Sequence, residues 1–380
     1  MFFFEIEAVS YYFFPKKRLN CYQLSGINQS GISSKVIYLL KNMYSKMKLC
    51  VKSTFYAHST DLCHCSDLSF SSTKENPNCL CNISMNDECY FSPTAGVFQG
   101  ESLSPVLFSL FLNNVNDYMK ENDNVGLHIY HTYLALILFA DDMVLFSKNR
   151  FGLQQGLNRL SSYCNKWGLT VNVEKTKCMV FKNGGRKSAL DRWTYNGHEI
   201  ETITSFRYLG FVFASSGKFR VGIDSIILQG QRAMFKMYSC INDFDSMFVN
   251  MQLSLFNSLV TSILCYSCEV WDFVEAKKVE TLHFEFLKQI LRVKKTTPNC
   301  IVYKECNIYP LYLTRIFRII KYWLKLIKLD QSDPLRIIYE TTIGLLDYDY
   351  GEKNKQCWAF QVRSILYTNG FGYIWENQNY

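Results

Sequence analysis

The sequence predicts an α+β protein in which a region of short strands precedes a mostly helical region. Short apolar runs separated by turn residues predict strands as far as about residue 215. Beyond residue 225, apolar residues recur at steps of three and four, which predicts amphipathic helices through most of the remaining chain. In residues 133–146, two apolar runs flank an Asp-Asp pair, and this pattern predicts two strands joined by a turn.

The composition is that of a globular protein with room for two or three domains. Hydrophobic residues make up 48% of the 380 residues and charged residues 19%, which excludes an intrinsically disordered chain. The formal net charge of +8 is compatible with an anionic partner such as nucleic acid, but many proteins of this charge bind none. Composition therefore permits nucleic-acid binding without requiring it.

The cysteines and the apolar segments indicate a reducing location away from membranes. Fifteen cysteines are scattered along the chain, and an odd, dispersed set does not suggest a disulfide framework. The apolar residues 1–4 have no basic residue before them and are followed by Glu5 and Glu7, unlike a secretory signal. Apolar stretches such as 133–140 are too short to span a membrane. We expect an intracellular protein, in the nucleus or cytoplasm, that is not secreted and has mostly free thiols.

The spacing of apolar residues predicts the secondary structure of individual segments. Residues 1–20 are rich in aromatic side chains but show no clean period, whereas residues 36–49 and 105–118 have helical spacing. Residues 170–181 alternate like a pair of strands, and residues 206–214 resemble another short β segment. Three amphipathic stripes predict helices: Leu153, Leu157, Leu160, Cys164 and Trp167; Val279, Leu282, Phe286, Ile290 and Val293; Ile316, Ile319, Ile320, Trp323 and Ile327.

The most informative feature is the pair Asp141-Asp142 within LILFADDMVLF, residues 136–146. Two carboxylates directed at one point of a hairpin are costly to hold together unless a cation joins them. Mg²⁺ suits such a site because it prefers oxygen ligands and keeps positions open for phosphate oxygens. Two such ions would support nucleotidyl transfer to a primer 3′-hydroxyl. The alternative, for the pair by itself, is a solvated turn between two strands.

Four motifs follow one another at the spacing of a known enzyme family. They are GVFQGESLSPVLFSLFLN at 96–113, FADD at 139–142, a Trp-to-Phe segment at 167–181 that contains Asn172, Lys175 and Thr176, and FRYLG at 206–210. In this order they resemble the reverse transcriptases of non-LTR (LINE-type) retrotransposons. ILCYSCEVW (263–271), TTPN (296–299), GFGYIWENQ (370–378) and LLKNMYSKMKLCVK (39–52) are similar to further segments of that family. The resemblance covers roughly residues 26–56 and 85–380.

The resemblance implies a right-hand polymerase fold with a partial palm. The domains it predicts are a residual fingers and palm segment at 1–56, a divergent loop or insertion at 57–95, a palm with the motifs at 96–215, a helical thumb-like region at 216–300 and a helical C-terminal region at 301–380. The implied activity is RNA-templated DNA synthesis, that of an RNA-directed DNA polymerase. An RNA template and a DNA primer would be its partners, and two Mg²⁺ ions its cofactors.

The resemblance also assigns roles in catalysis. Asp141 would be the shared ligand of both metal ions, and Asp142 would lie beside it on the hairpin. Lys175 would lie near the nucleotide triphosphate, where a lysine can donate a proton to pyrophosphate. The alternative for Lys175 is a surface lysine at the start of a strand.

Two further groups of residues would contact the substrates. Gln99 and Gly100 would flank the incoming nucleotide and the template base, and Phe98 stands where the family has an arginine. A second group would form the hairpin that grips the primer end, or alternatively a β-turn in the core: Tyr208, Leu209 and Gly210.

The family's first metal ligand belongs to a K-A-F-D type motif upstream of residues 44–48. No aspartate precedes Asp61 in this sequence, and Glu5 and Glu7 stand in a different sequence context. The sequence therefore predicts an N-terminally truncated reverse transcriptase that has an incomplete catalytic centre and is inactive by itself. The alternatives are a non-catalytic nucleic-acid-binding remnant and a functionless retroelement fragment.

Two other groups of residues have both a functional and a structural interpretation. A zinc site would need C-x₂-C pairs, which the C-x-C spacings here lack, so an inserted or drifted sequence is the alternative; its residues are His58, Cys63, His64, Cys65, Cys79, Cys81 and Cys89. Cations of the thumb-like region would contact backbone phosphates or else belong to a solvated charged face; they are Lys277, Lys278, Lys288, Arg292, Lys294 and Lys295.

Overall fold

The computed structural model describes residues 2–7, 33, 35, 38–39, 42, 49–50, 90–91, 102–120, 125–129, 132–182, 191–241, 244–271, 277–347 and 357–378. The chain divides into two compact units. The larger contains the described parts of Met1–Ala8, Asn116–Trp167 and Val171–Tyr380, and the smaller contains those of Val9–Val115 and Gly168–Thr170. Strands and helices occur together in the larger unit, which confirms the predicted α+β class.

The described strands are short, and ten of the twelve belong to the larger unit. They are β1 (Phe2–Glu7), β2 (Leu49–Cys50), β3 (Tyr90–Phe91), β4 (Leu127–Ile129), β5 (Thr132–Leu134), β6 (Leu136–Phe139), β7 (Asp142–Leu145), β8 (Lys177–Val180), β9 (Trp193–Tyr195), β10 (His198–Ile203), β11 (Ser205–Tyr208) and β12 (Phe211–Ala214).

Most of the described helices follow the strands in the chain, as predicted. They are α1 (Ser104–Phe111), α2 (Val115–Lys120), α3 (Arg150–Trp167), α4 (Arg220–Cys240), α5 (Val249–Phe256), α6 (Ser262–Leu264), α7 (Cys268–Trp271), α8 (Lys277–Ile290), α9 (Asn299–Cys306), α10 (Leu311–Ile327), α11 (Pro334–Asp347), α12 (Trp358–Thr368) and α13 (Gly372–Glu376). A 3₁₀ turn (Phe244–Ser246) precedes α5, and a π-helical turn (Asn257–Thr261) joins α5 to α6.

The centre of the larger unit is a six-stranded sheet in the order β6-β7-β1-β8-β10-β9. Every neighbouring pair is antiparallel except β8 and β10, which are parallel. Strand β1 lies in the interior of this sheet, between β7 and β8. Residues 1–20 show no clean period in the sequence, so the strand at Phe2–Glu7 was not predicted from it.

Helix α3 covers part of this sheet with the predicted apolar stripe. Leu153, Leu157 and Leu160 are almost completely buried. The indole Nε1 of Trp193 in β9 donates a hydrogen bond to the carbonyl oxygen of Arg150 at 3.0 Å, which fixes the start of the helix against the strand. Burial of the leucines and this hydrogen bond hold the helix directly after the β6–β7 hairpin.

Two predictions for the β region need correction. Residues 170–181 contain one strand, β8, rather than a pair, because residues 172–176 form a hydrogen-bonded turn. Residues 206–214 form a hairpin of two strands, β11 and β12, rather than one β segment. The reversal occurs at Leu209 and Gly210, whose φ angles are positive, 46° and 84°.

The helical region has two apolar cores. In the first, helix α8 packs Leu282 and Phe286 against α4 and α5, and the ring of Phe286 stacks on that of Phe256 with centroids 3.9 Å apart. In the second, Trp323 of α10 stacks on Trp375 of α13 at 5.9 Å. The centres of the predicted stripes are buried, at Val279, Leu282 and Phe286 of α8 and at Ile319 and Trp323 of α10. The other stripe residues of these two helices are half-buried, and Val293 lies beyond the end of α8 at Ile290.

Two further expectations concern thiols and membranes. Each cysteine whose side chain the structure describes is a free thiol, including the buried Cys164, Cys178 and Cys265. Among the described helices, none combines the length and the apolar character needed to cross a bilayer.

Candidate active site

The aspartate pair lies at the tip of the β6–β7 hairpin. Phe139 and Asp142 are cross-strand partners, so Ala140 and Asp141 form a two-residue turn. Ala140 has a φ of 53°, the left-handed conformation that tight hairpin turns require. Both aspartates are half-buried, whereas the adjacent Phe139 is exposed. The predicted strand–turn–strand arrangement of the two aspartates is present.

Strand β1 places glutamates beside this hairpin. In the β1–β7 pairing Ile6 is opposite Met143 and Glu7 is opposite Asp142. Directly opposed residues of an antiparallel pair lie on the same face of a sheet, with Cβ atoms about 4.5–5.5 Å apart. Glu5 precedes Glu7 by two residues and therefore lies on that face as well. The backbone register thus brings two further acidic positions to the aspartate hairpin.

Lys175 lies at the same end of the sheet. Glu5 is opposite Lys177, the first residue of β8. Because β1 runs antiparallel to both β7 and β8, its C-terminal end lies beside the N-terminal ends of both strands. Lys175 belongs to the turn just before β8, so it lies near this end of β1 without being paired with Glu7. Asp142 and Glu7 are therefore paired on adjacent strands, and the turn that contains Lys175 leads into β8 at the same end of the sheet.

A compact turn holds Lys175 in front of β8. The side-chain Oδ1 of Asn172 accepts hydrogen bonds from the backbone amides of Glu174 and Lys175, at 3.1 and 3.3 Å. The hydroxyl of Thr176 donates to the Asn172 carbonyl oxygen at 2.7 Å. Lys175 itself is exposed. The matched Asn, Lys and Thr therefore form one local structure that presents the lysine to solvent.

The hairpin of Tyr208, Leu209 and Gly210 leaves the sheet from the other end. Strand β10 is parallel to β8, so its last residues lie at the end of the sheet opposite to the aspartates. Strand β11 begins after one intervening residue. Tyr266 contacts the tip of this hairpin, because its hydroxyl donates a hydrogen bond to the Leu209 carbonyl oxygen at 2.5 Å. A Cβ added to Gly210 would meet the Tyr266 ring at 3.4 Å.

Residues 263–271, which the sequence analysis matched without assigning a role, connect this hairpin to the helices behind it. Trp271 stacks on Phe211 of β12, with ring centroids 6.4 Å apart. The carboxylate of Glu269 pairs with Arg318 of α10 at 2.6 Å, and its carbonyl oxygen accepts a hydrogen bond from Trp358 of α12 at 2.7 Å. No periodic pattern in the sequence signalled this connecting role.

Two sets of predicted residues lie outside the described part of the chain. Phe98, Gln99 and Gly100 are one set, and the cysteines and histidines at 58–89 are the other. Among the side chains that the structure does describe, no group of three or more His, Cys, Asp or Glu residues is close enough to hold a metal ion. Of the described residues, Asp141 and Asp142 are those that the sequence analysis predicted as metal ligands.

Comparison with known proteins identifies the region that contains these motifs. Residues 28–213 match the family model described as reverse transcriptase (RNA-dependent DNA polymerase). A stretch of 143 residues is 29% identical to the Pol polyprotein from the type-1 retrotransposable element R2 of Nasonia vitripennis. Another of 205 residues is 24% identical to the RNA-directed DNA polymerase from the mobile element jockey of Drosophila funebris. Residues 28–213 therefore match a reverse transcriptase domain, and the relatives named here come from the mobile elements R2 and jockey.

The matches cover only part of these relatives. They span 36% of this chain and 14% of the R2 polyprotein, and 52% of this chain and 22% of the jockey polymerase. The reverse transcriptase domain includes Asp141, Asp142, Lys175 and the hairpin at 208–210. Strand β1 precedes the matched residues, and Tyr266 follows them.

Proposed function

We propose that the chain binds a primer–template and catalyses RNA-templated DNA synthesis at the sheet edge formed by Asp141, Asp142, Glu7 and Lys175. The observation that supports this proposal is the register of β1, which puts Glu7 opposite Asp142. The sequence had predicted an incomplete centre because no aspartate precedes Asp61. A glutamate on an adjacent strand supplies the same chemical group with one additional methylene, so polymerisation by this chain is chemically feasible.

The donor set fits a hard divalent cation. Asp141 and Asp142 are half-buried at a tight turn, and carboxylate oxygens are the ligands that Mg²⁺ prefers. We assign Glu7 as the third carboxylate because of its register, and Glu5 as the alternative two residues earlier on the same face. Bound Mg²⁺ would supply charge neutralisation for the reacting phosphates.

The protein's own groups have separate tasks at this edge. The hairpin turn fixes Asp141 and Asp142 relative to each other before substrate arrives, which reduces the reorganisation needed during reaction. Lys175, held by the Asn172 turn, is positioned to neutralise the triphosphate and to donate a proton to the departing pyrophosphate. The hairpin at Tyr208, Leu209 and Gly210 would support the primer end, with Tyr266 behind it.

Primer extension on an RNA template with and without Mg²⁺ tests this function. We expect incorporation by the parent chain and a loss of about 100-fold or more in Asp141→Asn. Glu7→Gln should lower the rate comparably, whereas Glu199→Gln, an exposed position of β10, should not. Absence of incorporation by a folded parent chain would overturn the proposal. It would also be overturned if Glu7→Gln and Glu5→Gln both polymerised as fast as the control Glu199→Gln.

Cation binding gives a second measurement that does not depend on turnover. Mn²⁺ is a paramagnetic substitute for Mg²⁺, and its binding can be followed by the loss of the free-ion signal. We expect Asp141→Asn and Glu7→Gln each to weaken Mn²⁺ binding, and Glu199→Gln to leave it unchanged. Glu7→Asp keeps the charge but shortens the side chain, so it tests whether cation binding requires only a carboxylate or also the length of the glutamate side chain.

A second candidate function, nucleic-acid binding without catalysis, is favoured by a basic segment after α8. From Phe286 to Lys304 inclusive, the sequence has five Lys or Arg residues and no Asp or Glu. Lys294 and Lys295 of this segment are exposed, and the ammonium group of Lys288 donates a hydrogen bond to the Lys295 carbonyl oxygen at 2.8 Å. Such a segment can neutralise backbone phosphates.

Charge reversal distinguishes this second function. Lys294→Glu combined with Lys295→Glu should weaken primer–template binding and flatten its dependence on salt concentration, because fewer counterions are released. Lys236→Glu, an exposed position on α4, is the control. Binding that survives in Asp141→Asn but fails in the double variant would separate the two functions, and unchanged binding in the double variant would contradict a role for this segment.

A further inference from the structure

A cavity of about 460 Å³ lies in the larger unit, between the start of α4 and helices α10, α11 and α12. This volume falls in the usual range of sites for small molecules and cofactors, about 300–1,000 Å³. Its walls are mostly aromatic and aliphatic, and they include Lys218, Arg220, Trp271, Tyr322, Tyr339 and Trp358. We call it the aromatic cavity.

Hydrogen bonds and ring contacts fix the aromatic walls in place. The indole Nε1 of Trp358 donates to the Glu269 carbonyl oxygen at 2.7 Å, and the rings of Tyr322 and Tyr339 meet Trp358 edge-on at 5.8 and 6.1 Å. On the other wall, Trp271 Nε1 donates to the carbonyl oxygen of Tyr266 at 2.8 Å. Walls that are already ordered lose little conformational entropy when a ligand binds.

The charge of the lining is entirely positive. Lys218 and Arg220 are both exposed, and no Asp or Glu occurs among the described residues that line the cavity. Burial raises the pKa of Tyr339 to about 12, so its hydroxyl remains neutral at physiological pH. Its oxygen also accepts a hydrogen bond from Trp323 at 2.6 Å. A ligand that suits this lining therefore has a flat apolar part and an anionic group.

The lining also offers hydrogen-bonding groups. Gln361 contributes a carboxamide, which has both a donor and an acceptor edge, and Thr342 contributes a hydroxyl that donates to the Ile338 carbonyl oxygen at 2.6 Å. Flat rings with polar edges and an attached phosphate are the chemistry of nucleotides. Proteins that bind single strands use the same combination, with bases stacked on aromatic side chains and cations along the backbone.

We propose that the aromatic cavity binds one unpaired base of single-stranded RNA, with the adjoining phosphate held by Lys218 and Arg220. This inference rests on the proposed function in taking RNA as the partner, but it adds a binding site built from residues other than those of the aspartate hairpin. An uncharged hydrocarbon would gain nothing from the two cations. A side chain of a protein partner lacks the phosphate that would pair with them.

Direct binding measurements test the proposal without metal ions, nucleotide triphosphates or primer. The probes are a short oligoadenylate and an abasic ribose-phosphate strand of the same length, and quenching of tryptophan fluorescence is the signal. We expect the oligoadenylate to bind about tenfold more tightly than the abasic strand, because only the former has a base to stack. Equal affinities for the two strands would overturn the proposal.

Two variants locate the base. Leu335→Trp enlarges a half-exposed lining side chain and should abolish the advantage of the oligoadenylate. Leu313→Trp, an equally exposed position on α10 that does not line the cavity, is the matched control. Lys218→Glu with Arg220→Glu should weaken both strands, since it removes the phosphate contact. An oligoadenylate advantage that persists in Leu335→Trp would place the base elsewhere and contradict the inference.

Two more comparisons separate this proposal from others. If AMP quenches tryptophan fluorescence but does not compete with the oligoadenylate, the cavity is a mononucleotide site and the RNA assignment is wrong. If the oligoadenylate advantage depends on Leu335 in a chain that shows no primer extension, the cavity proposal stands while the proposed function fails. Loss of primer extension in Asp141→Asn with unchanged strand binding would show that the two sites are independent.

Discussion

The hydroxyl of Tyr266 donates a hydrogen bond to the carbonyl oxygen of Leu209 at the tip of the β11–β12 hairpin. Leu209 has a φ of 46°, a conformation that is unfavourable for a leucine and needs support from neighbouring residues. Tyr266 belongs to residues 263–271, so this bond links a motif of the reverse transcriptase domain to a segment that lies outside the matched residues. The geometry of the hairpin tip therefore depends on a residue more than fifty positions away.

Tyr266→Phe should lower the free energy of unfolding by about 0.5–1 kcal/mol, because it removes this hydrogen bond but keeps the ring. The lower half of the usual range applies because Tyr266 is 43% exposed. Urea unfolding measures the change, and Tyr309→Phe, at a position that is 79% exposed, serves as the control. Equal losses in both variants would mean that the hydrogen bond contributes no stability.

Gly222 in the first turn of α4 should not tolerate a side chain. An added Cβ would lie 2.3 Å from the Phe211 ring and 2.6 Å from the Val212 carbonyl oxygen, and Phe211 is buried. We expect Gly222→Ala to destabilise the protein by about 2 kcal/mol or more through overpacking. Gly344→Ala, in the interior of α11 with no atom within 4 Å of an added Cβ, should instead stabilise it by about 0.5–1 kcal/mol.

The two alanine variants should change the stability of the protein in opposite directions, and thermal unfolding of both variants measures these changes. If Gly222→Ala is neutral, α4 can move away from the β11–β12 hairpin, and the packing of Phe211 is looser than the structure shows. If Gly344→Ala destabilises, the surroundings of α11 are more crowded than the described residues indicate.

Glu280 should be important for stability because it neutralises a completely buried arginine. Its Oε1 lies 3.1 Å from Arg315 Nη1, and its Oε2 accepts a hydrogen bond from the Tyr303 hydroxyl at 2.8 Å. Glu280→Gln leaves the guanidinium buried without its counter-charge, so we expect a loss of about 3 kcal/mol in urea unfolding. Glu285→Gln, on the exposed face of the same helix, should change stability by less than about 0.5 kcal/mol.

His283 should make the stability fall at acidic pH. Burial, and then the neighbouring positive charge of Arg315, lower the pKa of His283 to about 4 from its ordinary 6.5. Between these values the unfolded chain binds a proton that the folded protein does not, so the His283 contribution is complete above about pH 6.5 and is lost as the pH falls toward 4. This contribution of His283 to the free energy of unfolding is at most about 3 kcal/mol.

His283→Phe removes this titration while keeping an aromatic ring to stack on Phe256, which lies 5.6 Å away. Unfolding free energies measured between pH 4 and pH 7 should show a stability advantage of the variant over the parent that grows as the pH falls. A difference that does not change with pH would show that His283 is charged in the folded protein or accessible to solvent.

Local sequence signals were sufficient for the elements that make local contacts. The α3 stripe of Leu153, Leu157 and Leu160 has a period that only burial on one side of a helix explains, and those residues are buried. The Asp141-Asp142 hairpin was predicted because short apolar runs flank it, and the structure has it. The roles of its carboxylates, and the domain boundaries along the chain, remain predictions.

The errors arose where no periodic pattern marks the structure. Strand β1 has no alternation that reveals it, and only its pairing with β7 and β8 shows that Glu5 and Glu7 lie near the aspartates. The pattern of residues 206–214 did not show the reversal at Leu209, because leucine is a poor residue for a positive φ; only the resemblance placed a hairpin there. The turn at Asn172 was taken for a strand because its stabilising bonds come from one side chain and not from a period.

The interior position of β1 has a consequence for the order in which the chain can fold. Both neighbours of β1 lie well over a hundred residues further along the chain, so its edges stay unpaired during synthesis until β7 and β8 have left the ribosome. Closing so large a loop is entropically slow, and exposed strand edges favour association between chains in the meantime. The pairing of β1 with β7 and β8 is therefore the folding step at which this protein is most vulnerable to aggregation.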